Sequence, residues 1–147
     1  METSSKHFRY IAWKSPEEMH FSSLQWASEL KFIQDEHHFF QDMLKEYTLP
    51  IIESHLLDEV RKMIDRLNDS KTKGLDLLQR IEKHINGLDI MVDGVDQPDE
   101  EKDYKEEHKS LLKELNEYSR AYNKLKKEIF EIVSKALKKQ KQKRLLE

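Results

Sequence analysis

The chain has 147 residues, 37% hydrophobic and 37% charged, with 26 basic against 29 acidic side chains and a formal net charge of −3. Cysteine is absent, and glycine and proline number three each. These figures exclude disulfide scaffolds, thiol catalysis and cysteine-ligated metals, leave little turn material for a many-stranded β protein, and supply no positive field to attract nucleic acid or a membrane surface.

No apolar run approaches the ~20 residues of a membrane helix, so a soluble, cytoplasmic chain with no membrane span is expected. Lys6, Arg9 and Lys14 interrupt the first fourteen residues, which leaves no apolar stretch of the signal-peptide kind. That segment carries Phe8, Tyr10, Ile11 and Trp13 and reads as an N-terminal arm (1–14) on a single helical-bundle domain spanning 1–147.

The first helix opens at Ser15-Pro16-Glu17-Glu18, where serine can cap, proline suits the first turn and Glu18 completes a capping box. Steps of three and four then carry one face through Met19, Ser23, Trp26, Leu30, Ile33, His37, Phe40, Leu44, Tyr47 and Ile51. Pro50 suggests a break just before it. Ile51 nevertheless keeps the phase, so the first helix is predicted over 16–53, with its turn near Glu53 to His55.

The second face runs Leu56, Val60, Met63, Leu67 and resumes at Leu77, Ile81, His84, Leu88 and Met91. Between them lies Asn68-Asp69-Ser70-Lys71-Thr72-Lys73-Gly74, whose residues cost roughly 3 kcal/mol in helix propensity against alanine. The face crosses this stretch in phase, through Ser70 and Gly74, which predicts one helix over 56–93. The alternative is a turn near Ser70–Gly74 and a four-helix up-down-up-down bundle. Gly94 to Pro98 is the clearest break. Asp99, Glu100 and Glu101 then oppose the positive end of a last helix dipole. Its face runs Tyr104, His108, Leu111, Leu115, Tyr118, Tyr122, Leu125, Ile129, Ile132 and Ala136. The expected fold is all-α: an antiparallel bundle of three long coiled-coil-like helices over about 16–53, 56–93 and 100–142, with 143–147 as a fraying basic tail.

Histidine is the unusual polar signal, because His37, His84 and His108 occupy positions on the apolar faces. Converging imidazoles are how bundles hold metals. His55 with Glu59 has H-x-x-x-E spacing and His84 with Asp89 has H-x-x-x-x-D. Both resemble fragments of the hemerythrin-like cation-binding family, a four-helix bundle holding two irons. The resemblance implies ligands at His37, His55, Glu59, His84 and His108. The family's H-x-x-x-H pair is not in this chain. Its H-x-x-x-x-D element normally lies on the last helix and here precedes it. No metal or cofactor is therefore assigned, and the face histidines are read as structural.

The acidic stretch from Asp89 to Glu107 fails the calcium-loop pattern, since Pro98 stands where glycine belongs. Lys135, Lys138, Lys139, Lys141, Lys143 and Arg144 make the C-terminal end basic, but no aromatic residue interleaves them to stack bases. Glycine-rich phosphate loops, G-x-S-x-G and H-E-x-x-H are absent. The expected function is a protein–protein interaction or scaffold module without catalysis, binding a protein partner or itself as a homodimer. The surface nominated for it is Trp26, Phe32, Phe39, Lys138, Lys139 and Arg144. The alternatives are a metal-binding bundle built on the histidines and a basic tail that binds an acidic partner.

Overall fold

The structure is a computed structural model that describes residues 15–93 and 98–146. The arm at 1–14, the break at 94–97 and Glu147 lie outside the described residues. Four helices follow in order: α1 (Pro16–Glu46), α2 (Thr48–Glu53), α3 (Leu57–Asp93) and α4 (Pro98–Leu146). The fold is an all-α helical bundle.

Local chemistry sets the helix ends. Ser15 Oγ accepts from the Glu18 backbone N–H at 3.3 Å, the expected N-cap. The predicted first helix over 16–53 is divided at Tyr47 into α1 and α2. Pro50 causes this, since it lacks an N–H and its ring crowds the Glu46 carbonyl one turn back. The interruption is slight. Tyr47 N–H still donates to Met43 O, and Ile51 N–H to Tyr47 O, both at 3.1 Å.

The turn itself falls where the sequence places it. His55 has φ 61°, the left-handed conformation usually given to glycine. Leu56 N–H donates to Ile51 O and His55 N–H to Ile52 O, each at 3.1 Å. This is a Schellman motif, completed by the burial of both Ile51 and Leu56.

Residues 68–74 continue through α3 as unbroken helix, so the four-helix alternative is not adopted. Leu67 and Leu77, on either side, are both buried. Burying such side chains is worth about 1.5–3 kcal/mol each, enough to offset the poor propensity. Thr72 Oγ1 also donates to Asn68 O at 3.2 Å and turns an unfavourable residue back onto the helix. α4 opens on Asp99, Glu100 and Glu101, as expected, and continues past 142 to Leu146.

The chain groups into two compact units. The first combines Met1–Ile33 with Lys73–Arg120. Its core includes Met19, Trp26, Leu30, Ile81, Leu88 and Leu115. Arg80 clamps Glu114 through two bonds of 2.8 Å, while His84 meets His108. Residue numbers therefore rise on α4 as they fall on α3, and the two segments are antiparallel.

The second unit combines Gln34–Thr72 with Ala121–Glu147. Phe40, Ile51, Leu67, Tyr122 and Ile129 form its centre. Here His37 of α1 meets Ser70 of α3, Arg66 of α3 clamps Glu128 of α4, and α1 and α4 run in the same direction. The buried Ser54 hydroxyl lies 3.2 Å from Ala136 O and ties the Schellman turn to α4. No described helix is long and apolar enough to cross a membrane.

Candidate functional site

Three of the nominated histidines are fully buried: His37, His84 and His108. The first unit brings two of them together. His84 Nε2 lies 3.0 Å from His108 Nδ1, and the His84 Nδ1 is hydrogen-bonded to the Glu107 carboxylate. Ser23 donates its hydroxyl to Met19 O at 2.8 Å, so its oxygen, 3.4 Å from His108 Nδ1, is an acceptor. Hydrogen-bond logic then orders the protons. His108 Nδ1–H points to His84 Nε2, and His84 Nδ1–H points to Glu107. Trp26 stacks on His108 with centroids 4.2 Å apart, and Tyr104 packs against His84 at 5.6 Å.

Burial holds both imidazoles neutral. The His108 pKa is pushed down to about 3 by desolvation and then by the neighbouring His84. His84 is lowered by burial, against an opposing pull from Glu107. A cleft of about 560 Å³ beside the pair is lined by Lys83, His84, Tyr104, Glu107 and Ser110, among others.

The geometry is that of a relay and not of a chelate. The two nitrogens of His84 face opposite ways, one toward Glu107 and one toward His108, so the three groups cannot converge on one ion. Among the described residues no set of three or more histidine, aspartate and glutamate side chains is placed to hold a metal. His55 is exposed on its turn and Glu59 is exposed on α3. Asp89 faces His20 at 3.7 Å, while His84 turns to Glu107.

His37 belongs to the second unit. Its Nε2 is 2.9 Å from Ser70 Oγ, and Tyr122 meets its ring edge-on at 5.1 Å. Its Nδ1 is buried with no hydrogen-bond partner. Desolvation, then Lys71, push its pKa down to about 4; Glu36 opposes them. The partners of these histidines were only partly legible. Ser23, Tyr104 and Tyr122 share the apolar-face series, but Glu107 stands off phase and is one of many carboxylates in its stretch.

The nominated interaction residues separate by burial. Trp26 is 3% exposed and belongs to the core, so it cannot meet a partner. Phe32 and Phe39 are each 55% exposed. Lys138, Lys139 and Arg144 are exposed on α4, and Lys139 Nζ reaches Ser54 O at 3.4 Å. Sequence reasoning missed Phe21, at 63% exposed, and Leu24, at 47%. The 3.6-residue period holds the signal that finds them: both lie well away from the buried Met19–Ser23–Trp26–Leu30 line on α1. No protein-family model, curated protein or solved structure matches the chain.

Proposed function

We propose that the protein is an interaction module that acts by binding another protein and not by catalysis. The observation that carries this reading is the outer face of α1 in the first unit. Phe21, Leu24 and Phe32 stand more than 45% exposed, while Met19, Trp26 and Leu30 on the other side of the same helix are buried. The helix is thus apolar on two sides. The inner side is covered by the core, and exposed large apolar groups on the outer side mark contact surfaces. The spacing of 21, 24 and 32 is that of anchors on one helix face.

A photoreactive side chain introduced at Phe32 tests this in cells. A discrete cross-linked protein is expected, lost when Phe21→Asp is added and absent when the probe is placed at Gln79, exposed on α3. Equal cross-linking from Gln79, or none from Phe32, overturns the reading. Stoichiometric iron, manganese or zinc in the purified protein, lost on His84→Ala, would replace it with the metal-binding one.

A further inference from the structure

We propose that residues 1–14 of this chain dock along α4 of the first unit, where Phe8, Tyr10, Ile11 and Trp13 form the second wall of a cleft. The cleft holds about 610 Å³, and the described residues that line it, among them Lys109, Leu112, Lys113, Asn116, Glu117 and Arg120, all belong to α4. A helix is a cylinder, convex all round, so α4 alone supplies one wall. The opposite wall comes from chain outside the described residues. Three pieces of the chain lie there: 1–14, 94–97 and Glu147. Glu147 is separated from Arg120 by about 40 Å along the same helix. The break at 94–97 is tied to Asp93 and Pro98. From Pro98 to Glu106 is about 12 Å on α4, and a segment this short, at most about 14 Å of chain, cannot climb that far and return. Residues 1–14 remain.

Their reach fits. In the first unit His20 of α1 pairs with Asp89 of α3 and Lys31 with Glu82. So α1 runs against α3, as α4 does, and α1 and α4 are parallel. Ser23 lies level with His108, their polar atoms 3.4 Å apart. Pro16, seven residues earlier, is therefore level with about Glu101. Ser15 is the N-cap and precedes proline, and both hold it out of the helical conformation. The chain leaves the α1 axis there and can turn back along α4. Trp13 is two residues from Ser15 and Phe8 seven. In any conformation from helix to strand, those lengths are about 3–7 Å and about 10–25 Å. Glu106, Lys113 and Arg120 stand about 8, 18 and 28 Å beyond the level of Glu101. The four apolar side chains thus run from the near edge of the cleft into its length.

Their chemistry fits as well. Leu112 is 3% exposed and gives the α4 wall an apolar centre, while Lys109, Lys113 and Arg120 are exposed around it. Lysine and arginine lay their methylene stems on apolar surface and their charges over aromatic faces, and the arm brings Phe8, Tyr10 and Trp13 to that wall. Charge sets the direction. Residues 98–107 hold Asp99, Glu100, Glu101, Asp103, Glu106 and Glu107 against Lys102 and Lys105. The arm holds Lys6, Arg9 and Lys14 against Glu2, and its attachment at Ser15 brings Lys14 beside the acidic start of α4. A basic, aromatic segment is the complement of this wall. Phe21, Leu24 and Phe32 are not among the residues that line the cleft, so the docking is separate from the contact face on α1.

Nuclear magnetic resonance of the full chain tests the proposal. The chain has no cysteine, so His7→Cys places a single nitroxide label on the arm. The amide signals of Lys109, Lys113 and Glu117 are expected to lose most of their intensity. Gln79 and Lys83 are exposed on α3, at the level set by the Arg80–Glu114 and His84–Glu107 contacts, and are expected to keep more of theirs. Adding Phe8→Ser and Trp13→Ser is expected to remove this preference for α4, with circular dichroism confirming that the helices stay intact. Equal losses on α3 and α4, a preference that survives the two serines, or no loss at all overturns the proposal. So does a loss in a mixture of labelled chain without isotope and isotope-enriched chain without label, which would put the arm on a second copy.

Discussion

Acid should loosen this fold well before its carboxylates titrate, and His37 is the clearest place to measure it. Folding holds its pKa near 4, against 6.5 for the free side chain. The geometry explains the direction. Burial desolvates the charged ring, in which both nitrogens carry protons although Nδ1 is buried with no acceptor, and Lys71 adds repulsion. Glu36 favours the proton and His38 opposes it. Between pH 6.5 and 4 the unfolded chain therefore binds more protons than the folded one, so stability falls as pH falls. At pH 5 the difference is about 2 kcal/mol for this one residue, against a total of about 5–15 kcal/mol for an ordinary domain.

The assay is urea unfolding at pH 7.5, 6 and 5, on wild type and on His37→Gln, whose amide can keep the bond to Ser70 without titrating. Wild type should lose about 2 kcal/mol more than the variant over that range. Glu114 and Glu128 are held below the usual carboxylate range by hydrogen bonds to Arg80 and Arg66. Their stabilisation is lost only at lower pH, outside this window. Superimposable pH profiles for the two proteins would refute the argument.

Two further outcomes concern the backbone. A methyl group on Gly87 would come within 2.1 Å of the Tyr104 hydroxyl oxygen, so Gly87→Ala must displace the ring that packs on His84. In thermal or urea unfolding Gly87→Ala is expected to be more costly in the wild-type background than in Tyr104→Ala, where the clash is gone and alanine favours the helix by about 0.5–1 kcal/mol. At the Schellman turn, His55→Gly removes a side chain from a left-handed residue and should stabilise the fold by about 0.5–1 kcal/mol. An unchanged or lower midpoint would show that the imidazole contributes something the turn needs.

Much of the architecture was legible in the residue order because helix faces are periodic. The capping serine at 15, the turn at 53–55 and the carboxylates that open α4 each rest on contacts within a few residues. Residues 68–74 were legible only through their phase, which outweighed their composition. The division at Tyr47 follows from Pro50, yet its smallness does not, because the proline removes one bond and the surrounding backbone keeps the rest. The site was harder. Phase marked His84 and His108 as inward-facing, but meeting nitrogen to nitrogen depends on the offset of α3 against α4. The same offset brings Glu107 to His84, where H-x-x-x-x-D spacing pointed to Asp89. Trp26 shows the same limit. Its position on the apolar face was plain, and its reading as a contact residue failed because His108 covers it.

The sequence alone therefore determined that the chain is helical, where its helices begin and turn, and which side of each is buried, since these depend on spacing and local bonding. The tertiary structure decided which buried groups meet and which apolar rings stay uncovered. Both depend on how one helix slides along another, a displacement that a repeating face permits in many registers and that only side-chain packing fixes.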